Sequence, residues 1–177
     1  GNKRLLGQIF RFFTQADVDV CCGYAKHYLP TFKQPEVRMM LSAFAAMEAV
    51  HQEAYSLLLE TLGFRDDEYQ KFFEHKEMLA KHEYLGTFGM ETPMDIAKTL
   101  AIYSGFTEGV QLFSSFAILL NFPRHNLMKG MGQIVTWSVR DETLHVEGMS
   151  HLFRAFVKEN PDIWNDDLKY EIYCAAE

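Results

Sequence analysis

The feature that most constrains the fold is a set of long apolar stripes with helical spacing, each interrupted near its middle by an acidic residue. In one of them, between Val37 and Leu62, inward-facing residues recur at steps of three and four. Such steps place side chains on one face of an α-helix. Glu48, His51 and Tyr55 lie within this stripe. The periodicity therefore predicts that these three polar side chains face the core together.

Three other stretches repeat the pattern, and proline and glycine residues separate them. Gly63 is well placed to end one predicted helix, and Pro123 to end another. The predicted helices span residues 5–28, 35–62, 65–85, 93–122 and 125–159, with a further short helix after 162. The polar interruptions of the three other stripes are Asp17, Glu108, Glu142 and His145.

These helices predict an all-α protein, because no stretch alternates apolar and polar residues as a half-buried strand would. Most are about twice the ordinary helix length, which favours an elongated helical bundle. A length of 177 residues without a linker predicts one domain over residues 1–177. Because the last residues still have a helical pattern, we expect a chain truncated at both ends.

Charge and composition argue against several classes of partner. The net charge is −7 without a basic run, so we expect no nucleic acid partner. No apolar run reaches the length of a membrane span, so we expect no membrane insertion. Three cysteines without zinc spacing favour a reducing compartment, and we expect a cytoplasmic protein.

The carboxylates in the stripes require compensation, because an ionised carboxylate placed in a core costs several kcal/mol. Glu48 with His51 and Glu142 with His145 are two Glu-x-x-His pairs, 94 residues apart. Residues at i and i+3 share a helix face, so each pair can offer both an oxygen and a nitrogen to metal ions. Two such pairs with one carboxylate from each of two other helices match the ligand set of dinuclear iron and manganese bundles. We therefore predict a dinuclear site.

Each element of this pattern has an ordinary interpretation when taken alone. A single Glu-x-x-His is most often a surface or capping pair, and Asp17 by itself has the weakest claim as a ligand. We expect Asp19 to be solvated and Tyr103 to pack in the core. The remaining histidines are expected to be surface or satisfied core residues: His27, His75, His82, His125 and His151.

The motifs resemble those of the small, radical-generating subunit of class I ribonucleotide reductase. The similarity runs from about residue 10 to residue 156. It includes the segments FFTQAD at 12–17, MEAVHQEAYS at 47–56, EGV at 108–110 and RDETLH at 140–145. The resemblance implies a ferritin-like bundle whose dinuclear centre activates an oxidant to form a tyrosyl radical. A large catalytic subunit would then use that radical to reduce ribonucleotides to deoxyribonucleotides.

The resemblance also implies a role for individual residues. Tyr55 would carry the radical, and Asp141 would bond to His51 on the electron-transfer route. Leu112 and Phe116 would help form the apolar pocket around the radical. One metal ion would be held by Asp17, Glu48 and His51, and the other by Glu108, Glu142 and His145, with Glu48 bridging. Iron is the first expectation, and manganese or a mixed manganese and iron centre has the same ligand types.

The resemblance further implies a homodimer as well as the large subunit as partners. No tryptophan precedes Trp137, although the family has one upstream of the first ligand, and the family's carboxy-terminal tail is absent. These departures make turnover by this chain alone an open question. The alternatives are a ferritin-like ferroxidase, oxidase or metal-binding protein in which Tyr55 is structural, and a metal-free bundle.

Overall fold

The computed structural model describes residues 2–64 and 74–176, and the regular structure in these ranges is helical. We number the helices α1 to α6. Helix α1 comprises Asn2–Gly23, the π-helical Tyr24–Tyr28 and Leu29–Thr31; α2 is Pro35–Thr61; α3 is Lys76–Leu85. Helix α4 comprises Pro93–Leu100, the π-helical Ala101–Leu112 and Phe113–Arg124. Helix α5 is Lys129–Glu159, the 3-10 turn Pro161–Ile163 follows, and α6 is Asp166–Ala176. The all-α prediction is confirmed.

Local sequence signals explain several helix ends. Helix α2 begins with Pro35 at its first position, where the missing N–H costs nothing, and Gly63 follows its end with a φ of 69°. Helix α4 begins with a capping box: Thr92 Oγ1 accepts from the Asp95 N–H at 3.1 Å, and the Asp95 carboxylate accepts from the Thr92 N–H at 3.0 Å. Residues 65–73 of the predicted third helix lie outside the described residues.

Two predicted boundaries are wrong by a few residues. Pro123 does not end α4, because a proline removes only its own donor and its fixed φ is compatible with a helix, so the helix continues to Arg124. Helix α5 begins at Lys129 rather than at His125, since Met128 before it has a φ of 51° in the left-handed region.

The described core contains two hydrophobic clusters. The Tyr55 cluster consists of Leu6, Ile9, Phe10, Phe13, Ala16, Tyr55, Leu58, Leu59, Leu112, Phe116, Leu119, Met131 and Val135. The Tyr24 cluster consists of Val20, Tyr24, Tyr28, Phe32, Leu41, Phe44, Phe88, Leu100, Ile102, Tyr103, Met149 and Leu152.

A polar layer separates the two clusters. On α1, Asp17 lies between Ala16 of the Tyr55 cluster and Val20 of the Tyr24 cluster. Glu48 lies between Phe44 and Tyr55 on α2 in the same way. Each of the four long helices thus contributes residues to one cluster before its polar residue and to the other cluster after it. The polar residues of the four helices therefore lie at one level of the bundle. No helix in the described ranges combines the length and the apolar character needed to cross a membrane.

Candidate metal centre

Four helices bring all six predicted ligands into one buried site. One ligand atom from each of Glu48, Glu108, Glu142 and His145 lies within 4.8 Å of the others, and the same holds for Asp17, Glu48 and His51. Each of the six side chains belongs to a residue no more than 4% exposed. Glu48 is shared by both groups. The described residues therefore provide two adjoining sets of donors with a common carboxylate.

The two Glu-x-x-His pairs are interleaved. His51 Nδ1 lies 3.5 Å from Glu48 Oε2 and 3.1 Å from Glu142 Oε1. His145 Nδ1 lies 2.9 Å from Glu48 Oε1 and 3.3 Å from Glu142 Oε2. Each glutamate thus directs one oxygen toward each imidazole. A carboxylate with this orientation can bridge two metal ions, each of which also has a nitrogen ligand.

Most oxygen atoms of the site lack a hydrogen-bond donor. Within the described residues, both carboxylate oxygens of Asp17, Glu48 and Glu142 are buried without a hydrogen-bond partner, as is Oε2 of Glu108. Buried polar atoms are nearly always satisfied, and leaving a carboxylate unsatisfied is costly. Divalent cations would coordinate these atoms. The oxygen and imidazole donors suit iron and manganese, so the residues present fit a dinuclear centre.

Burial and mutual proximity change the protonation of these groups. Burial raises the pKa of Asp17 well above its usual value and the pKa of Glu108 to about 7. Burial lowers the pKa values of the imidazoles, but the closely surrounding carboxylates outweigh it and raise the pKa of His51 to about 11 and of His145 to about 12. The metal-free site therefore holds its imidazoles protonated at neutral pH, and binding a metal ion requires the release of these protons.

Tyr55 lies in the apolar cluster beside the polar layer. Its hydroxyl donates a hydrogen bond to Ser138 Oγ at 2.8 Å, and the Phe13 ring stacks on it at a centroid distance of 4.9 Å. Leu112 and Phe116 belong to the same cluster, and the Phe116 ring stacks on Phe13 at 4.9 Å. Both predicted pocket residues thus lie in the same cluster as Tyr55. The Phe13 ring stacks on both the Tyr55 ring and the Phe116 ring.

Asp141 lies on the other side of the His51 ring from the carboxylates. Its Oδ2 atom is 3.4 Å from His51 Nε2, and its side chain is 22% exposed. A carboxylate at this position can hold the ring so that Nδ1 faces the metal ions. The predicted pair of Asp141 and His51 is therefore adjacent, at the long limit of a hydrogen bond.

Three residues in contact with the site were not predicted to be functional. The Tyr24 hydroxyl donates to Glu108 Oε1 at 2.8 Å, and the Phe44 ring centroid is 4.4 Å from that of His145. Ser138, the third, bonds to Tyr55. Tyr24 follows Asp17 by seven residues and Ser138 precedes Glu142 by four, so helical spacing puts both on inner faces. Spacing does not indicate which polar atoms they approach.

Two expectations outside the site have different outcomes. Asp19 is not solvated: its side chain is 12% exposed, because both of its oxygens lie 2.9 Å from His82 Nδ1. A contact between helices thus covers a residue that lies off the apolar stripe. Tyr103 packs in the core as predicted, and its hydroxyl also donates to the Leu85 carbonyl at 3.0 Å.

Comparison with known families gives a match over the whole chain. The model for the ribonucleotide reductase small chain matches residues 1–177. The curated "Probable ribonucleoside-diphosphate reductase small subunit 376L" of Invertebrate iridescent virus 6 is 52% identical, over 90% of this chain and 48% of its own length. The subunit beta of Chlamydia pneumoniae is 30% identical over 99% of this chain and 55% of its own length. The chain spans about half the length of the curated relatives it matches.

A solved structure has a similar fold. The "putative class I ribonucleotide reductase" from Bacillus halodurans superimposes with a TM-score of 0.84 over 96% of this chain and 62% of its own chain. At 19% identity, this likeness concerns the fold alone. It agrees with the helical bundle.

Proposed function

The chain belongs to the family of ribonucleotide reductase small chains, and we propose from this premise that it houses the radical-generating centre of a class I ribonucleotide reductase. One observation supports the proposal above the others. The two Glu-x-x-His pairs interleave, so that Glu48 and Glu142 each approach both imidazoles, directly beside a cluster that encloses Tyr55.

The residues divide between two metal positions. Asp17, Glu48 and His51 would hold the first ion and Glu108, Glu142 and His145 the second, with Glu48 common to both sets. Two iron ions, when bound, would supply the one-electron oxidising power after reaction with an oxidant such as oxygen; manganese or a mixed pair has the same ligand preferences. Most carboxylate oxygens around these positions lack a hydrogen-bond partner among the described residues, so the metal ions would balance the buried charge.

Tyr55 stores the oxidising equivalent. Tyr55 would give one electron and its phenolic proton to the oxidant-activated centre, and the neutral radical would stay in the Tyr55 cluster. Phe10 and Phe13 approach its ring with centroid distances of 6.3 and 4.9 Å, and its residue is 1% exposed. The cluster excludes water and reductants from the ring, and a radical in such surroundings survives longer.

Asp141 positions His51. A proton on His51 Nε2 faces the Asp141 carboxylate, which leaves Nδ1 free to bind metal. The same pair lies toward the surface, since the Asp141 side chain is 22% exposed. We propose that electrons reach the centre along this pair.

The partners follow from the family. We propose that a large catalytic subunit reduces ribonucleotides to deoxyribonucleotides with the equivalent stored on Tyr55, and that the small chain forms a homodimer. A subunit of this family contributes the radical, and the nucleotide binds elsewhere.

Electron paramagnetic resonance (EPR) tests the proposal directly. The metal-free chain is mixed with ferrous iron and air, and both bound iron and the tyrosyl signal are measured. We expect about two iron ions per chain and a tyrosyl radical that disappears in Tyr55→Phe. Tyr170→Phe is the matched control, because Tyr170 is 70% exposed and lies outside both clusters.

The outcomes separate the proposal from its alternatives. A tyrosyl signal that persists unchanged in Tyr55→Phe contradicts the assignment to Tyr55. Iron uptake and oxidation without any tyrosyl signal favour a ferroxidase or oxidase. Iron content well below one ion per chain in the unaltered protein contradicts the dinuclear centre itself.

A further inference from the structure

A row of three buried tyrosines leads away from the polar layer on the side opposite Tyr55. The Tyr24 hydroxyl donates to Glu108 Oε1 at 2.8 Å. The Tyr24 and Tyr28 ring centroids are 5.7 Å apart, and those of Tyr28 and Tyr103 are 6.3 Å apart. Each of the three residues is no more than 5% exposed. The function proposed above uses none of them.

The row ends at a surface pocket. Tyr103 lines a cavity of about 310 Å³ together with Asp19, Cys22, His27 and His82. The His27 and Tyr103 ring centroids are 6.1 Å apart, which brings an aromatic ring to the cavity wall. Gly23 permits this arrangement, because a Cβ at that position would lie 2.9 Å from Cε1 of Tyr103.

We propose that Tyr24, Tyr28 and Tyr103 form a second electron-transfer route, which connects Glu108 of the metal centre with this surface pocket. The inference rests on the proposed dinuclear centre but not on the role of Tyr55. Electron transfer weakens steeply with distance, and successive phenol rings near contact provide short steps through the Tyr24 cluster. The route is distinct from the pair formed by His51 and Asp141, which leaves the centre from the other metal position.

The hydrogen bond from Tyr24 to Glu108 makes the first step chemically balanced. When Tyr24 gives one electron to the oxidised metal centre, its O–H bond breaks and the proton moves to Glu108 Oε1, within the distance at which protons transfer directly. When an electron arrives through Tyr28, the proton returns to the Tyr24 oxygen. A one-electron reductant at the pocket supplies that electron and is itself oxidised.

The three tyrosines are not equivalent along this route. Tyr28 and Tyr103 donate to the backbone carbonyls of Thr99 and Leu85, at 3.2 and 3.0 Å. A carbonyl oxygen is a much weaker base than a carboxylate, so an oxidised Tyr28 or Tyr103 cannot readily pass on its proton. Tyr24 is therefore the residue on which the oxidising equivalent rests, and the other two carry it briefly.

The backbone geometry supports a specialised role for this region. In the part of the chain that the structure describes, the π-helical segments are Tyr24–Tyr28 and Ala101–Leu112. They contain all three tyrosines and Glu108. A π-helical segment is less stable than regular helix and is found disproportionately at functional sites.

The first experiment needs no metal. A ruthenium polypyridyl photo-oxidant is attached to Cys22, which is exposed and lines the pocket, in a chain carrying Cys21→Ser and Cys174→Ser. In the presence of an external electron acceptor, a light flash oxidises the ruthenium complex, which then oxidises the nearest tyrosine. EPR records the tyrosyl radical. We expect the radical yield to fall several-fold in Tyr103→Phe and its lifetime to fall several-fold in Tyr24→Phe. Tyr170→Phe leaves both unchanged.

The second experiment uses the iron-loaded chain in a Tyr55→Phe background, with rapid freezing after addition of air. We expect a transient tyrosyl signal that is lost when Tyr24→Phe is added. Because Tyr24 contacts a ligand, Tyr28→Phe serves as the second variant: it should load iron normally and slow the decay of the transient signal several-fold.

The results separate failure of this route from failure of the proposed centre. If yield and lifetime in the photo-oxidation experiment are the same in Tyr24→Phe and Tyr103→Phe as in the parent, the route is wrong whatever the metal content. If iron loads but the Tyr55→Phe chain gives no transient signal, the route is also wrong. A chain that takes up no iron contradicts the dinuclear centre. The photo-oxidation experiment still decides whether electrons move along the three tyrosines.

Discussion

The two hydrophobic clusters on either side of the polar layer differ in their hydrogen bonding. In the Tyr55 cluster a single phenol is bonded to the neutral hydroxyl of Ser138, and phenylalanine rings stack around it. In the Tyr24 cluster three phenols lie in a row, and the first is bonded directly to Glu108. The first arrangement isolates an oxidised ring. The second gives an oxidised ring a carboxylate as proton acceptor and neighbouring phenols with which it can exchange an electron. Under the two proposals above, one polar layer serves radical storage on one side and electron transfer on the other.

The largest effect is expected from removing the polar layer's central carboxylate. Glu142→Ala deletes one of the two carboxylates that approach both imidazoles, at 3.1 Å from His51 Nδ1 and 3.3 Å from His145 Nδ1. We expect loss of the dinuclear centre, measured as bound iron per chain after reconstitution. Glu147→Ala is the matched control, because Glu147 lies on the same helix and is not one of the buried residues. Equal iron content in both variants would contradict the assignment of Glu142 as a ligand.

A matched pair of phenylalanine truncations compares the two clusters. Phe13 packs on Tyr55, and Phe44 packs on His145 in the other cluster. Each truncation to alanine should reduce the free energy of unfolding by roughly 3–5 kcal/mol, because a buried aromatic ring leaves a cavity. Chemical denaturation measures this, and EPR measures the radical lifetime in the same samples. Only Phe13→Ala should shorten the lifetime of the Tyr55 radical, and equal lifetimes would show that the Tyr55 cluster does not protect it.

The protonation of the polar layer predicts how metal binding varies with pH. His51 and His145 have pKa values raised to about 11 and about 12, so below pH 11 both imidazoles carry protons that metal ions must displace. Release of at least these two protons raises the apparent affinity by at least about 100-fold per pH unit as the pH increases.

Titration calorimetry with manganous ion, in buffers of different ionisation enthalpy, counts the protons that are released. Because the phenol of Tyr55 is not among the groups that release them, the proton count should not change in Tyr55→Phe. A count near zero would mean that the metal-free imidazoles are neutral, which contradicts the protonation described above.

The smallest effect is expected from removing the hydrogen bond between Tyr55 and Ser138. Ser138→Ala leaves the buried Tyr55 hydroxyl without its partner, which should cost about 1–3 kcal/mol in unfolding free energy. The tyrosyl EPR signal should shift, since its form depends on the hydrogen bond to the phenolic oxygen. Ser114→Ala, at an exposed position, should change neither. An unshifted signal in Ser138→Ala would indicate that the radical does not occupy Tyr55.

Much of the site was predictable from residue spacing. A stripe with steps of three and four must face one side of a helix, so spacing alone predicts that Asp17, Glu48, Glu108 and Glu142 point inward. Their burial requires a common compensation, and the structure gathers them with both histidines. The prediction that Asp19 is solvated was wrong because spacing within one helix carries no information about its surroundings. Asp19 lies off the stripe, and its contact with His82 depends on how α3 packs against α1.

The sequence by itself determined the helical class, the inward faces and the candidate ligand side chains, because all three follow from periodicity within single helices. Tertiary structure alone decided which atoms meet across helices. It set the bond from Tyr24 to Glu108, the bond from Tyr55 to Ser138, and the interleaving of the two Glu-x-x-His pairs. These contacts depend on the rotation and axial position of one helix against another, which the packing of both clusters sets jointly and no single stripe encodes.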